Sequence, residues 1–165
     1  MKFTYKKYKF LIVALCMGSF VYSQNKSTYT YAIKGLDTLQ LDVYSPKKLK
    51  KNDSLPVLLW MHGGGFSGGA RDNKLHEGKL AEYVTTKGYI GVSISYRLLL
   101  KNEKTGFGCN YPKADKLETF KQAAIDYLDA AKFIFDHKLE LQIDPTKVIA
   151  GGSSAGAEGV LNAVY

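Results

Sequence analysis

"KVIAGGSSAGAEGVLNAVY", residues 147–165, is the stretch whose reading decides the fold. Val148, Ile149 and Ala150 form an apolar run too short for a helix, so they read as a strand. Ala155, Ala157, Val160 and Leu161 carry helical composition on the far side of two serines bracketed by glycines. The join is therefore a sharp strand-to-helix turn, and Gly152, Ser154 and Gly156 fit the pattern Gly-x-Ser-x-Gly. A serine at the tip of such a turn sits in an unfavourable backbone conformation. Residues two before and two after it must lack side chains, or the strand and helix would collide. The helix start adds free backbone N–H groups and a positive dipole end beside the serine. Ser153 is a rival, but its flanking residues are Gly151 and Ala155, and alanine suits the helix side less well than glycine. Ser154 is the candidate nucleophile.

A glycine-bracketed serine is an unspecific pattern by itself, and a second segment some ninety residues upstream gives it meaning. "VLLWM", residues 57–61, is a continuous apolar run suited to a strand buried on both faces. It leads directly into His62-Gly63-Gly64-Gly65-Phe66. Flexible linkers are glycine-rich too, but they do not follow a buried strand. A glycine run there can turn its N–H groups toward a reacting carbonyl, which is what stabilising an oxyanion requires.

The rest of the chain supplies the scaffold for these two turns. "TYTYAIK" and "LQLDVYS", residues 28–34 and 39–45, read as an antiparallel hairpin around Gly35-Leu36-Asp37. Residues 72–87 have helical composition, with Leu75, Leu80, Tyr83 and Val84 available for a buried face and Gly88 as the stop. "YIGVSISY", residues 89–96, is another strand. A long loop at 98–113 follows and carries Cys109. Residues 115–138 form the longest helical segment, with Phe120, Ala124, Leu128, Ala131 and Phe135 on one stripe and Asp115, Asp126 and Asp129 expected on the exposed face. "DPTKV" then turns the chain into the last strand. A hairpin followed by alternating strands and helices predicts an α/β fold with a mostly parallel sheet.

Residues 1–23 stand apart. Lys2, Lys6, Lys7 and Lys9 precede an unbroken apolar run at 10–17, then Gly18, Ser19 and Val21-Tyr22-Ser23. This is the pattern of a signal peptide cut after Ser23, and it predicts a secreted or periplasmic protein. The run falls short of the roughly 20 apolar residues a membrane span needs. Leu15 stands where a lipidation signal before Cys16 would place a small residue. Removing those four lysines lowers the net charge from +8 to +4, so the basic balance belongs largely to the export signal and gives no case for nucleic acid. Cys109 is then the single cysteine, which excludes an internal disulfide in residues 24–165.

Through "LDVYSP", "PVLLWMHGGGF", "GVSISYRL", "DAAKFIF" and "IDPTKVIAGGSSAGA", the chain resembles the N-terminal half of a secreted α/β-hydrolase of the esterase/lipase group, carboxylesterase and hormone-sensitive-lipase-like. The resemblance implies an α/β-hydrolase fold and ester hydrolysis by a Ser–His–Asp/Glu triad, with no metal or cofactor and with a small-molecule or polysaccharide-linked ester as substrate. It assigns Ser154 as nucleophile and the N–H groups of Gly64, Gly65 and Ala155 as the oxyanion hole. His62, Gly63, Gly152 and Gly156 take supporting roles. In this family the triad histidine comes last, so His62 is no candidate for the base. His76, on the helix after the glycine loop, and His137, near the end of the long helix, read as structural. Asp144 in a turn and Glu158 in the first turn of the last helix read likewise. The expectation is that the triad acid and histidine lie outside these 165 residues, leaving an incomplete hydrolase domain with an open sheet edge at its last strand. A non-catalytic hydrolase-like binding protein and a serine peptidase are the competing readings. Ser153 stands where relatives often carry Asp or Glu, and nothing in the sequence fixes the oligomeric state.

Overall fold

The computed structural model describes residues 25–73, 77–103 and 111–165. Residues 1–23, where the sequence predicts an export signal, and Leu75, His76 and Cys109 lie outside them. The elements follow in the order β1 (Asn25–Lys34), β2 (Asp37–Ser45), β3 (Leu55–Met61), α1 (Glu77–Thr85), β4 (Ile90–Ile94), α2 (Lys113–Asp136), β5 (Ile143–Gly152) and α3 (Ala155–Val164). This is the hairpin and strand–helix alternation that the sequence predicts. The five strands form one mixed sheet in the order β1-β2-β4-β3-β5. β1–β2 and β2–β4 are antiparallel, whereas β4–β3 and β3–β5 are parallel. The hairpin closes at Gly35, whose φ of 63° belongs to the left-handed region that glycine tolerates.

Handedness distributes the helices. From β3 the chain moves to one side to form β4, then crosses back past β3 to form β5. Right-handed crossovers in opposite directions put the connecting helices on opposite faces of the sheet. α1 accordingly packs on β4, β2 and β3, while α2 packs on β1 and β5 and against α3. Each close approach has a glycine. A Cβ on Gly91 would run into the Ala81 backbone of α1, and one on Gly159 would sit 2.9 Å from the Met61 sulfur.

The core between the sheet and α2/α3 is built from Leu41, Val57, Leu59, Met61, Val92 and Ile94 against Ala123, Tyr127, Ala130 and Ile134. β4 is buried along its whole length. β3 is buried at Val57, Leu58, Leu59 and Met61, as its unbroken apolar run requires.

Two helix faces differ from the sequence expectation. In α2 the buried residues are Thr119, Ala123, Ala124, Asp126, Tyr127, Ala130 and Ile134, while Leu128 and Phe135 are exposed. The inward stripe is rotated because small residues let α2 approach the sheet, and its polar members find partners inside. Tyr127 donates its hydroxyl to the Leu59 carbonyl at 3.0 Å, and Asp126 is fully buried against Arg97. Asp129 is half-buried and pairs with Lys34 of β1 at 2.6 Å, whereas Asp115 is exposed as expected. In α1, Tyr83 is exposed and Ala81 and Thr85 are buried. Small side chains are again what the close helix–sheet contact admits.

The "DPTKV" turn is incorporated into β5 as an irregularity: Leu55 pairs with Ile143 and Val57 with Val148, so the intervening residues bulge out. Asp144 holds the bulge by accepting from the Thr146 N–H at 3.0 Å and the Thr146 hydroxyl at 2.6 Å. Among the described residues β5 ends the sheet, and Ile149 on it is 48% exposed.

Candidate active site

Strand β5 and helix α3 meet at Ser154, which has φ 48° and ψ −121°. That is a strained conformation for a residue with a side chain, held only because the surroundings over-determine it. Ser154 is exposed, whereas Ala155 and Gly156 after it are buried. Gly152 and Gly156 meet the steric need directly. A Cβ on Gly152 would lie 2.5 Å from the Gly156 carbonyl carbon, and one on Gly156 would lie 2.5 Å from the His62 carbonyl oxygen. The first turn of α3 is thus docked on the end of β3.

Ser153 occupies a different environment. Its N–H donates to the Met61 carbonyl at 3.2 Å, and its own carbonyl accepts from the Gly156 N–H at 2.8 Å. It fastens the turn to β3, and Ser154 is the serine thrust outward.

The glycine run leaves β3 beside this turn. A Cβ on Gly63 would sit 2.9 Å from the Ser153 hydroxyl oxygen and 3.4 Å from the Ser154 Cβ, so the two signature segments are in contact. Gly64 and Gly65 follow with φ 125° and 61°. The Gly64 carbonyl accepts from the N–H groups of Ser67 and Gly68 at 3.1 and 3.0 Å, which folds residues 64–68 into a tight turn. Ala155 opens α3, and an N–H in the first turn of a helix has no partner within that helix. The structure therefore brings Gly63, Ser153 and Ser154 together, with Gly64, Gly65 and Ala155 on the adjoining backbone.

His62 is 2% exposed. Its Nδ1 lies 2.7 Å from the Gly63 carbonyl, and its ring lies 4.6 Å from that of Tyr96. Gly69 packs on it, since a Cβ there would reach the imidazole Nδ1 at 2.5 Å. His137 caps α2, with Nδ1 2.9 Å from the Phe133 carbonyl and its ring stacked on Phe133 at 4.1 Å. Both described histidines direct a ring nitrogen at a backbone carbonyl.

Three supports were not legible in the sequence. Tyr96, just past β4, donates its hydroxyl to the His62 carbonyl at 3.0 Å. Phe66 is fully buried with φ 57°, edge-on to Tyr96 and Phe120. Its carbonyl accepts the Leu100 N–H at 3.0 Å. Arg97 makes a two-pronged contact with Asp126 through Nε at 3.0 Å and Nη2 at 2.6 Å, and Asp126 also accepts the Arg97 N–H at 2.9 Å. The only sequence signal for these was the position of Tyr96 and Arg97 directly after a buried strand. Burial also pushes the Tyr127 phenol above its ordinary range, so it stays a donor beneath β3.

Among the described residues, no group of three or more His, Cys, Asp or Glu side chains is placed to hold a metal ion, and no helix is long and apolar enough to cross a membrane.

Comparison with known proteins places this arrangement. The family model BD-FAE matches residues 41–163, which include both signature turns. The fumonisin B1 esterase of Sphingopyxis macrogoltabida is 31% identical over 134 residues, covering 75% of this chain and 22% of its own length. Carboxylesterase 1E of Mus musculus is 32% identical over 125 residues, covering 75% of this chain and 20% of its own. The chain thus spans about a fifth of the length of these curated relatives. In fold it is similar to the thermophilic esterase Est2 of Thermogutta terrifontis, with a TM-score of 0.60 at 24% identity over 81% of this chain and 42% of that one. With its mixed sheet, its glycine turn after β3 and its strained serine after β5, this chain belongs to the BD-FAE family, within the esterase/lipase group of α/β-hydrolases.

Proposed function

We propose that this chain carries the nucleophile and oxyanion hole of a serine carboxylic ester hydrolase. The observation that carries the reading is Ser154, exposed at φ 48° on a turn whose neighbouring glycines admit no side chain, with Gly63 packed beside it. Ser154 Oγ would attack the ester carbonyl. The tetrahedral oxyanion would be held by the N–H groups of Gly64, Gly65 and Ala155. Its collapse would break the ester C–O bond and expel the alcohol, which takes the serine proton by way of the triad base, and water would open the acyl-enzyme to the free acid. Gly63, Gly152 and Gly156 keep the two turns close enough for one carbonyl to meet both, and His62 braces the glycine loop from beneath.

Neither described histidine is assigned as the base. His62 is buried under the loop and His137 caps α2. The triad histidine and its carboxylate are taken to lie outside these residues. The substrate class is a small-molecule or polysaccharide-linked carboxylic ester. The names of the two curated relatives, a fumonisin esterase and a carboxylesterase, support the ester chemistry. Residues 1–23 are read as an export signal, which suits an ester met outside the cytoplasm.

A fluorophosphonate probe tests the nucleophile. With the triad base taken to lie outside these residues labelling should be slow, and after long exposure to the probe it should map to Ser154, vanish in Ser154→Ala and persist in Ser153→Ala. Label that persists in folded Ser154→Ala would refute the assignment.

A further inference from the structure

Two directly paired strand residues grip the exit of the glycine loop. Asp42 of β2 and Ser93 of β4 are cross-strand partners, and both are fully buried. Ser93 donates its hydroxyl to the Arg71 carbonyl at 2.8 Å. Asp42 Oδ1 lies 3.2 Å from Arg71 Nε and accepts the Thr28 hydroxyl at 2.7 Å, while Asp42 Oδ2 faces Lys26 Nζ at 2.9 Å. A buried carboxylate must be compensated, and β1 already supplies a lysine and a hydroxyl. The remaining cation comes from the loop, whose main chain is held at the same residue.

Between Gly65 and Arg71 there is little slack. Gly64 closes a tight turn onto Ser67 and Gly68, and Gly69 is wedged against His62 and the Gly63 carbonyl. The loop is therefore fixed at its entry by His62 and Tyr96 and at its exit by Arg71. We propose that Arg71, clamped by Asp42 through its side chain and by Ser93 through its carbonyl, is a positioning residue that sets the orientation of the Gly64 and Gly65 N–H groups. This deepens the serine-hydrolase reading and rests on it for its kinetic arm.

The test uses the full chain with Arg71→Ala, Arg71→Lys and Ser93→Ala. Fluorophosphonate labelling is resolved into reversible probe binding and the rate constant of phosphonylation, and the Gly64 and Gly65 amides are followed by NMR. Loss of a single oxyanion donor costs about 10²–10³-fold in rate, so misalignment in Arg71→Ala should slow phosphonylation by about tenfold or more. Probe binding should change less than twofold, both glycine amides should shift, and Arg71→Lys should recover most of the rate. If Arg71→Ala does not fold, Ser93→Ala, which releases only the carbonyl, should show the same amide shifts in weaker form. Folded variants with unmoved Gly64 and Gly65 amides overturn the proposal. Labelling that survives Ser154→Ala sinks the serine-hydrolase reading instead, and the amide shifts judge Arg71 at whatever rate the chain labels without its triad base.

Discussion

Removing the Asp126 carboxylate should be among the most damaging single changes outside the two signature turns. Asp126 is fully buried in α2 and accepts three donors from Arg97: the backbone N–H, Nε and Nη2. Asp126→Ala leaves a guanidinium whose side chain is only 17% exposed, together with a backbone N–H stripped of its acceptor. Breaking a buried ion pair from one side costs about 3–5 kcal/mol, and an orphaned buried N–H about 1–3 kcal/mol. Arg97 retains a partial path to water, which places the expected loss toward the low end, about 3–4 kcal/mol. Against a typical domain stability of about 5–15 kcal/mol that is a large fraction. The assay is urea unfolding of wild type, Asp126→Ala, Arg97→Met and the double variant, read as a double-mutant cycle. Asp126→Ala should cost more than Asp126→Asn, which keeps an acceptor for the backbone N–H. The double variant should lose less than the two single losses added, because neither charge is then left alone. A loss below about 1 kcal/mol in Asp126→Ala, or strict additivity, would refute the argument that this pair is buried and coupled.

Gly156→Ala should destabilise the fold by about 1–3 kcal/mol or more, because the new methyl meets the backbone of Met61 and His62 rather than a side chain that could swing away. It should also slow Ser154 labelling by lifting α3 off β3, and a variant with wild-type stability and labelling rate would contradict the steric account. Asp144 predicts an acid-labile bulge. Hydrogen bonds from Thr146, with the nearby Lys147 ammonium, hold its carboxyl at about 2, below the roughly 3.9 of an unfolded chain. The native state binds fewer protons there, so this contribution is complete above about pH 4 and fades as the pH falls through about 2. The stability gap between wild type and Asp144→Asn, measured by denaturant unfolding from pH 5 to pH 2, should narrow over that window. A constant gap would show that the bulge does not depend on the carboxylate charge.

The hairpin, the order of strands and helices, and the two glycine-flanked turns were legible in the sequence. They depend on local causes: run length, period, and glycine where a backbone must turn or approach closely. "VLLWM" before His62 and "VIAGG" before Ser154 needed no tertiary information to be read as strands ending in turns. The local pattern already favours Ser154, since Ser153 would have Ala155 in place of a glycine on its helix side, but which serine is exposed depends on packing. Docking of Gly156 on β3 and the Ser153 N–H on Met61 leave Ser154 as the exposed one. The buried face of α2 departs from the hydrophobic stripe for a related reason. Hydrophobic periodicity favours Leu128 and Phe135, but the sheet accepts Ala123 and Ala130 by size, and Asp126 and Tyr127 because Arg97 and the Leu59 carbonyl await them. Asp42, Ser93 and Arg71 are separated in the chain and meet only because β2 and β4 become neighbours. Local chemistry thus set what each segment could be. Long-range pairing decided which side chains are buried, which charges are compensated, and what holds the glycine loop beside Ser154.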